Sequence, residues 1–216
     1  MNTDYNMRRS VSSLMIIPLI SGCSVFGFSN VEEARYDVLM ADDNYELRQY
    51  EPMVIAETCI EGDFDQAGNQ AFRKLFGYIS GDNTSTSEIA MTAPVIADTG
   101  RPGNGEKIDM TVPVLEQNND QCWRYMFVLP AGYTIQTAPQ PLQQDVKLSS
   151  QPQKRVAVIR YPGSSDENAI AEKTVQLRQW INANDMTAVS EPRWAGYNPP
   201  WTLPFLRRNE VMIDVN

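Results

Sequence analysis

Two stretches of helical periodicity, DFDQAGNQAFRKLFGYISG from Asp63 and SSDENAIAEKTVQLRQWINAN from Ser164, each stand between runs that read as β-strands. In the first, Ala67, Ala71, Phe72, Leu75, Phe76 and Ile79 recur at helical spacing, with Asp65 able to cap the start and Gly81 the end. In the second, Ser164 and Glu167 have the spacing of a capping box, and Ile170, Thr174, Leu177 and Ile181 share a face with Trp180 beside it, as far as about Asn184. Tyr45–Gln49 and Met53–Ile60, rich in apolar and β-branched residues, precede the first helix, and Trp123–Leu129 follows it. Lys154–Tyr161 leads into the second, which is followed by Trp194–Tyr197 and Glu210–Val215 around the proline-rich YNPPWTLPFLRRN. Strand pair, helix and strand pair, repeated, describe an internally duplicated α+β fold built from a ββαββ-like unit.

A shorter echo lies between the two halves. IAMTAPV at Ile89–Val95 and IDMTVPV at Ile108–Val114 each alternate Ile, Met and Val on one face, and the glycine-rich segment between them predicts an antiparallel hairpin. Pro94 and Pro113 have no N–H to give a ladder, so each must end or bend its strand. With no other ligating side chain in either heptad, Met91 and Met110 read as adaptable core filling rather than as metal ligands.

Charge and residue types narrow the chemistry. A formal charge of -9 argues against a nucleic-acid surface, which needs a basic stripe. The chain has no histidine, which removes the commonest general base, zinc ligand and proximal haem ligand together. No Ser/His/Asp set and no metal-ligand spacing is present, and Glu32-Glu33 and Asp42-Asp43 read as solvated surface, so the sequence points to a binding protein rather than an enzyme, without catalytic or metal-site residues.

The first 30 residues read as an address. Arg8 and Arg9 precede an apolar run from Val11 to Ile20, too short for a spanning helix but of signal-peptide length. Ile20-Ser21-Gly22-Cys23 resembles the bacterial lipobox, in which cleavage leaves the cysteine to carry lipid. The expectation is a lipoprotein signal peptide over 1–22, a lipidated tether over 23–30 with Cys23 as attachment point, and a folded body over 31–216. Ser24 after the cysteine points to the outer membrane, on its periplasmic side, with acyl chains rather than charge as the anchor. Cys59 and Cys122 would then lie in an oxidising compartment, where spacing alone leaves a disulfide and two buried thiols equally open.

YELRQYEPMVIAET, AFRKLFGYISGDN, IAMTAPV, MFVLPAGY and YNPPWTLPFLRRNEVMI, in this order, resemble the SOUL haem-binding protein family from about Val31 to Val215. The resemblance implies a distorted antiparallel β-barrel flanked by two helices. It also implies that haem, another tetrapyrrole or a similar flat hydrophobic molecule binds in a shallow site between the first helix and a late loop. Carried onto this chain, that site is Phe72, Leu75 and Phe76 on the helix, facing Tyr197, Trp201 and Phe205, with Arg207 and Arg208 available to haem propionates. An axial histidine, assigned in some members of the family, is impossible here, and no axial residue is carried over. A structural or partner-binding lipoprotein of the cell envelope is the other function these features accommodate.

Overall fold

The computed structural model describes residues 32–84, 105–119, 122–198 and 201–216. In chain order the strands are β1 (Glu32–Glu33), β2 (Tyr36–Asp42), β3 (Tyr45–Tyr50) and β4 (Met53–Ile60), followed by helix α1 (Phe64–Ile79). Next come β5 (Asn83–Thr84), β6 (Thr111–Val112), β7 (Val114–Asn119), β8 (Cys122–Val128), β9 (Gln140–Pro141), β10 (Lys147–Gln151) and β11 (Lys154–Tyr161). Helix α2 (Glu167–Ala183), β12 (Arg193–Gly196), a 3₁₀ turn at Pro204–Leu206 and β13 (Asn209–Val215) complete the chain.

Nine strands form one antiparallel sheet in the order β10-β4-β8-β7-β12-β13-β11-β3-β2. Apart from β2, that order is a palindrome of two units, β3-β4-α1-β7-β8 and β10-β11-α2-β12-β13. Exchanging corresponding strands turns the sheet into itself read backwards, which is the duplication expected from the sequence. The first strand of each unit has moved across to pair in the other half, β3 with β11 and β10 with β4.

This exchange forces the sheet to curl. β10 and β11 stand six strand intervals apart in the sheet, about 29 Å if flat. Yet only Pro152 and Gln153 join Gln151 to Lys154, a reach of about 11 Å. Glu51 and Pro52 impose the same limit on β3 and β4. Two short connections therefore draw the sheet into a half-barrel with the helices on its outer face.

Alternation along the strands distributes the core over both faces. Val54, Ala56, Tyr125 and Phe127 pack outward against Ala71 and Leu75 of α1. Ala157, Ile159, Val211 and Ile213 pack outward against Leu177 and Ile181 of α2. The intervening residues, among them Ile55, Met126, Val156, Val158 and Met212, point inward and fill the concave side.

The helix starts differ from expectation by local hydrogen bonding. Asp63, not Asp65, is the N-cap residue of α1, and Gly81 lies two residues beyond its end at φ +120°. For α2 the cap is Asp166, whose carboxylate accepts from the Ala169 N–H. Ser164 supports this carboxylate by donating to it instead of forming a box with Glu167.

The second heptad is divided at Pro113. Thr111–Val112 pair in parallel with β1, whereas β7, from Val114 onward, has β8 on one side and β12 on the other. Both edges of β7 are thus taken, and the ladder changes partners at the residue that cannot donate. The apolar face is divided too, with Ile108, Met110 and Val114 on the α1 core and Val112 on the concave one. The first heptad, residues 89–95, lies outside the described residues. Cys59 and Cys122 are joined as a disulfide between β4 and β8, their Cα atoms 5.7 Å apart.

Candidate functional site

The inner stripe of α1 consists of Ala67, Ala71, Leu75, Tyr78 and Ile79. Phe72 and Phe76 flank this stripe one turn apart, so they cannot enter the core with it. Their rings stack at 5.7 Å and 12°, and Phe72 also meets Phe127 edge-on at 5.6 Å. The pair is 43% and 49% exposed, a flat apolar surface open to solvent. Leu75 is sealed within the core, so its contribution is to hold the helix that displays the two rings.

The loop between β12 and β13 displays further aromatics, with Trp201 72% and Phe205 70% exposed. Its backbone is held from several sides. Gly163 N–H donates to Pro204 O at 2.9 Å, Arg207 Nε to Thr202 O at 2.8 Å, and Arg208 N–H to Asn198 Oδ1 at 2.6 Å. Sheet register places this loop relative to α1. Phe127, Val114 and Gly196 are successive partners across β8, β7 and β12, so the loop leaves the sheet in the row on which Phe72 rests. That departure is two strand intervals, about 10 Å, from Phe127.

Tyr197 and Arg208 belong to a different construction, on the concave side. Arg48 donates to both oxygens of Glu210, Nη1 to Oε2 at 2.7 Å and Nη2 to Oε1 at 2.9 Å, and both side chains are fully buried. Tyr197 Oη donates to Glu210 at 2.6 Å, and Arg208 Nε donates to it at 3.0 Å. Arg208 also grips Glu33 with Nη1 at 3.0 and 3.1 Å and lies 3.8 Å over the Tyr197 ring. Burial alone pushes the Glu210 carboxyl up. The Arg48 guanidinium first, then Arg208 and the Tyr197 hydroxyl, outweigh burial and hold it below the usual carboxylate range. Burial, with the Glu210 charge beside it, pushes the Tyr197 phenol well up, so it remains a donor at neutral pH.

The site residues read from the sequence therefore divide by role. Phe72, Phe76, Trp201 and Phe205 are exposed aromatic surface. Leu75 and Tyr197 are buried support, Arg208 is part of a buried ion network, and Arg207 braces the loop. Periodicity did not single out Arg48 or Glu210, although a signal was present. In NEVMIDV the alternation that sends Val211 and Ile213 outward sends Glu210, Met212 and Asp214 inward.

Residues 31–214 match the family described as SOUL heme-binding protein, and the chain belongs to that family. Its relatives include Heme-binding protein 2 of Homo sapiens, 28% identical over 172 residues, covering 79% of this chain and 77% of that one. Heme-binding protein 1 of Xenopus tropicalis is 25% identical over 173 residues, covering 80% and 84%. Among solved structures, the cryo-EM structure of an EcmrR–DNA complex aligns with a TM-score of 0.54 at 9% identity, over 80% of this chain and 57% of that one. A crystal structure of a hydrolase from Listeria innocua aligns at 0.51 and 13% identity, over 82% and 94%. These two likenesses show the fold alone. Among the described residues no helix is long and apolar enough to cross a membrane, and no group of three or more His, Cys, Asp or Glu side chains is placed to hold a metal ion.

Proposed function

We propose that this protein binds haem or a related tetrapyrrole on the aromatic surface of Phe72 and Phe76 of α1 with Trp201 and Phe205 of the loop between β12 and β13. Membership of the SOUL family across residues 31–214 carries this reading. The residues present suit a flat macrocycle, because the stacked Phe72 and Phe76 rings offer an exposed apolar face for it to cover. They do not suit an iron held by histidine, since the chain has none. The macrocycle is held by its faces, whereas Arg208 is committed to Glu33 and Glu210. Haem would supply a porphyrin face and its carboxylates to this interaction, and the role is binding rather than catalysis.

We further propose that a lipid on Cys23 tethers the protein to the bacterial outer membrane, facing the periplasm, after removal of residues 1–22. The basic pair, short apolar run and Cys23 support this reading.

Titration of the purified protein with hemin and with metal-free protoporphyrin, followed by Soret shift and tryptophan quenching, tests the first proposal. Saturable binding of both, weakened about tenfold or more in Phe72→Ser/Phe76→Ser, is expected. Failure of both ligands to saturate overturns it. For the tether, Cys23→Ala is expected to leave the membrane fraction, and its continued sedimentation with membranes would refute the lipid anchor.

A further inference from the structure

The half-barrel holds a partly open cavity of about 230 Å³ on the side of the sheet opposite α1 and α2. Its position follows from strand alternation, since Val54 and Ala56 of β4 face α1 whereas Met53 and Ile55 face the cavity. The apolar part of its wall includes Met53, Ile55, Leu115, Met126 and Met212. The three methionines are flexible and polarisable side chains that conform to an apolar chain of variable shape.

The polar part has one dominant sign. Arg124, Lys154 and Arg193 line the cavity together with Asp214, from strands β8, β11, β12 and β13. Asp214 accepts from both Lys154, at 3.0 Å, and Arg193, while Arg124 pairs with Glu57, which lies opposite Met126 on the same face of the sheet. Three cations thus stand at the cavity against two carboxylates, Asp214 and Glu57, a net positive charge although the whole chain carries -9. This local excess runs against the composition. Its cost is not relieved by full hydration, because the Arg193 side chain is only 7% exposed and lies beside Lys154. The charges are also mutually felt: burial first, then the positive charge of Arg193, pulls the Lys154 ammonium below its ordinary range, and Arg124 adds to the effect.

We propose that this cavity is a second binding site, for a small amphiphilic carboxylate with a short, unbranched apolar tail. The carboxylate meets the net positive charge of this group, where a planar guanidinium can take two oxygens at once, and the tail lies along the methionine-containing wall. Size sets the class. At about 30 Å³ per water-sized group the cavity holds roughly eight such groups, which corresponds to a fatty acid of about six to eight carbons and excludes a porphyrin. The sign of the charge excludes organic cations, and the apolar wall disfavours inorganic phosphate, which has nothing to place there. The site is independent of the aromatic surface on α1, being on the other face of the sheet.

Isothermal titration of the intact protein with octanoate at neutral pH and low salt tests this. Saturable binding is expected, at least tenfold tighter than for octanol, which has the tail without the charge, or for acetate and inorganic phosphate, which have the charge without the tail. Lys154→Gln is expected to weaken octanoate at least fivefold while leaving hemin affinity unchanged. The wild-type comparison does not depend on that variant folding. Absence of saturable octanoate binding, equal binding of octanol, or displacement of octanoate by hemin overturns the proposal.

Discussion

Replacing Glu210 with glutamine removes the single carboxylate on which Arg48, Arg208, Arg160 and Tyr197 converge. Arg48 suffers most, because its side chain has no solvent exposure and its remaining anionic partner, Glu46, bonds only its Nε, at 2.7 Å. Breaking a fully buried pair from one side typically costs about 3–5 kcal/mol, mainly through the stranded charge. Glu46 and the Tyr50 hydroxyl retain part of the compensation for Arg48, while Arg208 and Arg160 reach solvent, so a loss of about 3 kcal/mol is expected. With a urea dependence of about 2 kcal/mol per molar, the unfolding midpoint should fall by about 1.5 M. Equilibrium urea unfolding followed by tryptophan fluorescence measures this directly. The double replacement Arg48→Met/Glu210→Met should recover most of the loss, because neither buried charge is then left alone. A midpoint within about 0.3 M of wild type for Glu210→Gln would refute the reasoning, since it would mean that Arg48 is not dependent on this partner.

The same carboxylate sets a pH dependence. Its folded pKa is depressed below the unfolded value of 4.5, so its contribution is fully present above about pH 4.5 and is lost as the pH falls through the folded value. Urea midpoints should therefore decline below pH 4.5 in the wild type and decline less in Glu210→Gln. The Cys59–Cys122 bond closes a separation of 63 residues, for which the chain-entropy relation gives about 4 kcal/mol of stabilisation. Replacing both cysteines with serine should cost an amount of this order by urea unfolding, and thiol titration of the untreated, denatured protein should find neither sulfur free. Leu75→Ala should lower stability by about 2–5 kcal/mol through a core cavity. Phe72→Ser and Phe76→Ser should instead impair porphyrin binding at a smaller stability cost, an order of effects that parallel hemin and urea titrations can reverse.

What was legible in the sequence was local and periodic. Met53–Ile60 and Lys154–Tyr161 agree with β4 and β11 to the residue, because each combines apolar residues with a Pro-containing connection at one end. The two edge strands, β2 and β10, were not legible. An edge has a neighbour on one side only, and YDVLMAD and KLSSQ carry no uninterrupted inward-outward alternation. Phe72 and Phe76 were identifiable as members of an apolar helix face, but the division between Leu75, which enters the core, and the phenylalanines, which do not, depends on how α1 sits over β4 and β8.

By itself the amino-acid sequence determined the two helices, most interior strands, their duplicated order and the family they compose, since each is written in periodicity and motif over neighbouring residues. Tertiary structure alone decided the strand exchange that curls the sheet, the meeting of Arg48 with Glu210 across 162 positions, and the cationic cavity opposite the helices. These arise between residues distant in the chain, where no local pattern records which side chains will share the concave face.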